Sequence, residues 1–148
     1  MSAANNGSFI RIFFGTAGKP MMMAQSDEIS YKSTEEETSS KDSGLDYESI
    51  ITKRMMDLKG SCDLTLMAST TTKTTQDQAD DWVRSGELVP FFYGLIALAD
   101  DTVLITGSKK VAGFCRFTEV SLKADDKKKA TFSWNAKVQG ITTKSTVV

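Results

Sequence analysis

The sequence predicts a mainly β domain: a small β-sandwich or barrel with one flanking α-helix and one long loop between strands. Three observations predict it. Apolar and polar side chains alternate with a period of two along several runs, which is the signature of strands buried on one face. Only one stretch, QDQADDWVRSGE, carries apolar residues at helical spacing. And a polar segment, SYKSTEEETSSKDSGLDYES (30–49), lies between two strand-like runs.

The elements follow in chain order. SFIRIFF (8–14) and KPMMMA (19–24) read as short strands joined by a Gly-Thr-Ala-Gly turn. Adjacent Met21, Met22 and Met23 would put methionines on both faces of the second strand. Two readings fit: an adaptable outward interface or a strand buried on both sides. The segment 30–49 reads by composition as a solvated linker, because few apolar side chains offset the entropy of ordering it. In GSCDLTLMAS (60–69), Cys62, Leu64 and Leu66 share one face, and Asp63, Thr65 and Met67 the other. A helix is predicted from about Thr75 to Ser85, with Ala79, Trp82 and Val83 on its apolar side and Gly86 as its stop. Phe91, Phe92 and Tyr93 are assigned to the core. Strands follow at Asp101–Thr106, Gly113–Leu122 and Lys129–Gln139. In the last, Phe132, Trp134, Ala136 and Val138 alternate with Thr131, Ser133, Asn135 and Lys137. About eight short strands and one helix result.

Composition excludes several chemistries. The chain has 148 residues, the size of one domain, and is 40% hydrophobic and 25% charged. It contains no histidine, which removes Ser-His-Asp and Cys-His nucleophile activation and the usual zinc and proton-shuttle sites. Two cysteines, Cys62 and Cys115, form no disulfide framework and suggest a reducing cytosol, with a single bridge between them left open. MSAANNGSFIRIFFG lacks the basic start and long apolar run of a signal peptide. VPFFYGLIALA (89–99) is too short to span a bilayer as a helix. A soluble chain made in the cytoplasm is expected.

Carboxylate-only chemistry is the remaining catalytic option. Asp80-Asp81 falls in the helical pattern, while Asp100-Asp101 and Asp125-Asp126 interrupt strand-like runs, where Asp serves turns. All three pairs read as structural, so no enzyme, metal or cofactor is expected. FFGTAGKP (13–20) has two residues between Gly15 and Gly18-Lys19 and then Pro20, where a phosphate loop needs four and then Ser or Thr. It is a turn.

Charge is segregated along the chain. Residues 26–48 carry eight acids against two bases, whereas residues 108–148 carry nine bases against three acids. Two solvated surfaces would explain this. The sharper reading is self-complementarity, since a chain acidic in one part and basic in another can stack head to tail into rings or filaments.

Several of these pieces, in this order, resemble the tail tube (major tail) proteins of long-tailed bacteriophages. The carriers are SDEISYKSTEEETSSKDSGLDYESIITKRMMDLKGSCDLTLMA with its TSSKDSG at 38–44, then the Trp-bearing helix. AGFCRFTEVSL (112–122), the charged turn at Asp125-Asp126 and the closing strand ATFSWNAKVQG (130–140) follow. Met-Met-Asp-Leu (55–58) stands where the family often has an aromatic residue, and a single Gly140 replaces its closing Gly-x-Gly. Related secretion or injection tubes therefore stay open as an alternative.

The resemblance implies one tail-tube-like domain over 1–148, with an extended polar arm at about 33–49 and a short C-terminal tail at about 141–148. It implies a structural virion protein that assembles in the host cytoplasm into rings, commonly hexamers, stacked as a tube that conducts DNA. Its partners would be itself, then tape-measure, tail-tip and tail-terminator proteins, with no membrane insertion. The arm would reach a neighbour through Glu35, Glu36, Glu37, Lys41, Asp42 and Tyr47, meeting Lys127, Lys128 or Lys129. A lumen of short polar and acidic side chains would let DNA slide, with Glu28, Ser30, Asp63 and Thr65 as candidates. A monomeric β-barrel holding an apolar ligand is the competing class, and it should lack a long acidic arm.

Overall fold

A computed structural model describes residues 10–22, 24–38, 44, 49–64, 72–97, 100–124 and 129–148. The strands are β1 (Ile10–Phe14), β2 (Lys19–Pro20), β3 (Ala24–Glu37), β4 (Ser49–Asp63), β5 (Val89–Ala97), β6 (Asp100–Leu104), β7 (Lys109–Lys123) and β8 (Thr131–Thr146). The single helix α1 is Gln76–Ser85. The sheet runs β2-β1-β5-β7-β8-β4-β3, with β6 paired to β5, and every pairing is antiparallel. The predicted mainly β class with one helix is therefore found, built as one sheet.

That sheet curls. Four strands separate β1 from β3 in sheet order, yet the Ile12 N–H donates to Asp27 Oδ2 at 3.3 Å, and Arg11 Nε lies 3.9 Å from the same oxygen. Burial pushes the Asp27 carboxyl above its ordinary value, against the opposing pull of Arg11 and the Ile12 N–H. Curling encloses Phe14, Phe117, Phe132 and Trp134, all nearly inaccessible. Phe14 meets Trp134 edge-on at 5.1 Å and Phe117 at 5.0 Å, the geometry aromatic quadrupoles favour. The helix adds Trp82, whose ring is 5.1 Å from Phe117. Gly60 is required beside this cluster, because a Cβ there would meet Ser26 O at 2.5 Å and Trp134 at 2.9 Å.

The helix matches its sequence signals. Ala79 and Trp82 are buried, Val83 packs against the core, and Arg84 pairs with Asp80 one turn back at 2.7 Å. Gly86 at φ 67 sends its N–H to Trp82 O and ends the helix. At the other end Gln76 Nε2 donates to Asp63 O at 2.9 Å, tying the helix start to the end of β4.

Several boundaries differ from expectation. Four strands are long, from 14 to 16 residues, rather than short. The arm at 33–49 is not a bare loop: Glu35, Glu36 and Glu37 pair with Ile51, Ile50 and Ser49. Pairing of the two strands satisfies the backbone groups between them, so composition alone underestimates their order. The expected tail at 141–148 is strand as far as Thr146, with residues 143–146 paired to residues 109–112 of β7. The second strand stops at Pro20, after which Met21 forms a single bridge to Thr74 and is buried. Met23 lies outside the described residues, as do 65–71 and Asp125-Asp126. Phe91 is buried and Phe92 and Tyr93 are half-buried, in line with a core assignment. Cys62 and Cys115 are both free and buried, and burial pushes each thiol up to about 12, which makes them inert at neutral pH.

Candidate assembly surfaces

Alternation along four adjacent strands builds one polar sheet face. Residues of β4 and β8 that pair in register, Leu58 with Ala136 and Cys62 with Phe132, point inward. Their neighbours therefore point outward: Asp57 and Lys59 on β4, Ser133, Asn135 and Lys137 on β8. Glu28, Ser30 and Lys32 continue this face on β3, and Arg116, Glu119, Ser121 and Lys123 continue it on β7. Lys59 Nζ lies 3.5 Å from Glu28 Oε1, and Asn135 Nδ2 donates to Glu119 Oε2 at 3.4 Å.

Two of the four lumen candidates, Glu28 and Ser30, sit on this face. Asp63 follows the same register opposite Thr131 but is buried at the end of β4, with its carboxylate 2.8 Å from Lys129 Nζ. The Lys129 hydrogen bond, aided by its charge and a Gln25 hydrogen bond and opposed by desolvation, holds the Asp63 carboxyl below its ordinary value. Thr65 lies outside the described residues. The face carries charges of both signs. Its acids are Glu28, Asp57 and Glu119; its bases are Lys32, Lys59, Arg116, Lys123 and Lys137.

The same four strands end in two open edges. β3 terminates the sheet on one side. On the other, β5 pairs with β7 only as far as Val89 opposite Cys115, so residues 116–123 of β7 have a strand on one side alone among the described residues. Three antiparallel steps separate β7 from β3, so the two edges run in opposite directions. A β3 edge from one chain could thus extend the antiparallel pattern along the β7 edge of another. The length mismatch between β7 and β5 creates the second edge, and strand lengths were the feature least legible in the sequence.

The arm is the third surface. β4 pairs with β8 from Asp63 to Asp57, so among the described residues the β3–β4 ribbon beyond Asp57 has no third strand. Glu35, Glu36 and Glu37 are exposed on it, as are Ile50 and Ile51. Lys41, Asp42 and Tyr47 lie outside the described residues, as do Lys127 and Lys128. Lys129 lies 2.8 Å from Asp63 of its own chain, with most of its side chain exposed. Among the described residues no group of three His, Cys, Asp or Glu could hold a metal, and no helix is long and apolar enough to cross a membrane.

No protein-family model matches the chain, and no curated protein matches it in sequence. Solved structures do match in fold. A chain from the tail of an empty gene transfer agent particle, refined helically with C6 symmetry, superposes with a TM-score of 0.73 at 16% identity, covering 96% of this chain and 99% of that one. The SPP1 tail tube gives 0.69 at 12% identity, covering 98% and 81%. A chain of the anti-feeding prophage baseplate gives 0.66 at 10% identity, covering 99% of both. The protein has the fold of phage tail tubes and related injection-system tubes.

Proposed function

We propose that this chain is the structural subunit of a phage tail tube. It closes into rings by joining its β3 edge to the β7 edge of the next subunit, and the rings stack. The observation that carries this reading is the pair of open, antiparallel-compatible edges on one four-stranded unit. Because the two edges are different surfaces, the contact is head-to-tail, and such contacts close into rings when the rotation permits. Six subunits per ring accord with the C6 symmetry of the gene transfer agent tail.

In the closed ring the polar face lines the lumen. Glu28 and Ser30 are inside it, and acids and bases are interspersed on it, with Arg116 and Lys137 side by side. Close pairs such as Glu28–Lys59 cancel locally, and the remaining excess of bases is a weak, salt-screened attraction for DNA phosphates rather than a tight site. DNA passes through the lumen in this reading. Assembly in the host cytoplasm, a place in the virion tail, and contacts with tape-measure, tail-tip and terminator proteins belong to the same reading.

Negative-stain microscopy of the purified protein, with light-scattering mass at several concentrations, tests it. Rings or tubes with an open lumen are expected. A monomer at every concentration that also stays monomeric when mixed with a tail-tip preparation overturns it and favours a ligand-holding barrel.

A further inference from the structure

We propose that the arm tip of one subunit docks on an apolar groove crossing β5, β7 and β8 of a second copy of this chain. The proposal rests on the ring-and-tube reading and names the acceptor surface that reading lacks. The groove is lined chiefly by Pro90, Phe92, Ala112, Phe114 and Ile141. A bulge in β8 builds it. Between the pairs Ala112–Thr143 and Phe114–Gln139, one β7 residue, Gly113, faces three on β8. Gly140 takes φ 78 there, a left-handed conformation that suits glycine, and the bulge thrusts Ile141 outward to 94% exposure. Phe114 is 52% exposed beside it.

Cations stand at both ends of this groove. Lys110, on the same β7 face as Ala112 and Phe114, places its Nζ 4.7 Å from the centre of the Phe92 ring. Beyond Phe114 come Arg116 and its register partner Lys137, where the groove meets the polar face. The arm tip carries the complement. Ile50 and Ile51 are 53% and 51% exposed, and they pair with Glu36 and Glu35, with Glu37 next along the strand. Adjacent on β4, the two isoleucines point to opposite faces of the ribbon: Ile51 borders the cleft of its own chain, and the docking face carries Ile50 with Glu36, an apolar anchor beside a carboxylate, against an apolar groove with cations at both ends. Ile141 also borders the cleft under its own arm, together with Ile51 and Met56. The test must therefore separate docking between chains from docking within one.

The test uses assembled tubes of an Ile50→Cys, Ile141→Cys double variant under mild oxidation. Cys62 and Cys115 are wholly buried and do not compete. A ladder of covalent multimers is expected, absent from either single variant. Tubes that form without cross-links, or with closure only inside one chain, overturn this acceptor and leave the tube reading intact. A wild-type chain that forms no rings even with a tail-tip preparation overturns both. If the cysteine pair itself blocks assembly, a charge swap decides. Glu35→Lys, Glu36→Lys and Glu37→Lys together should abolish tubes, and adding Lys110→Glu, Arg116→Glu and Lys137→Glu should restore them. A swap that restores nothing overturns the docking site.

Discussion

β4 passes through two environments that follow opposite rules. From Met56 to Cys62 it alternates strictly, with Met56, Leu58 and Cys62 buried under Trp134 and Phe132. At Ser49–Ile51 and Lys53–Arg54 both faces of the same strand are exposed, and Ile50 and Ile51 are half exposed. The first region folds the chain; the second contributes little to folding and is available to bind. Fully burying an isoleucine side chain is worth roughly 1.5–3 kcal/mol. Ile50 and Ile51 leave much of that unrealised in the single chain, where a neighbour can recover it. Folding and assembly are thereby separated along one continuous strand, and substitutions in each half should separate likewise.

The largest effect is expected in the folding half. Trp134→Ala removes the ring that contacts both Phe14 and Phe117, and should cost about 3–5 kcal/mol in denaturant unfolding. Asp27→Ala comes next. It removes the carboxylate that faces the largely buried Arg11 and accepts from Ile12, unlatching β1 from β3 at about 3 kcal/mol. A stability change as small as that of an ordinary surface substitution would show that the curl of the sheet does not depend on this latch.

Asp63 offers a pH-resolved version. Its carboxyl is held below the ordinary 3.8 by Lys129. The contribution is therefore complete above pH 3.8 and is lost as pH falls through the lower folded value. In acid titrations followed by thermal melting, Asp63→Asn should shed that part of the acid sensitivity and leave the neutral-pH fold in place. The smallest effect on folding belongs to the arm. Glu35→Lys, Glu36→Lys and Glu37→Lys together should shift monomer stability by less than about 0.5 kcal/mol. Tube formation, read by microscopy, should nevertheless be lost. A triple variant that polymerises normally would merge the two halves again and remove the arm from assembly.

Parts of this division were legible in the sequence. The period-two run from Phe132 to Val138 gave the buried face of β8, because that strand has one wet and one dry side. The helix was readable from Ala79, Trp82 and Val83 and its Gly86 stop. The two ends of the arm, 33–37 and 49, read as linker by composition because their order is carried by backbone pairing, which leaves no mark on composition. The terminal stretch 141–146 was misread for the same reason, since Gly140 suggests an ending and instead marks a bulge. Asp63 and Lys129 were placed on different surfaces because they lie 66 positions apart and meet only once β4 and β8 are paired.

Local pattern by itself therefore determined the class of the protein, its one helix, the inward faces of its closing strands and the segregation of its charge. These depend on side-chain spacing within a few residues, which a linear sequence displays directly. Only the tertiary structure decided strand length, the two open edges, the Arg11–Asp27 latch and the bulge at Ile141. Each arises from where one strand outruns, curls toward or slips against a distant one, and register between remote segments is set by packing rather than by neighbours in the chain.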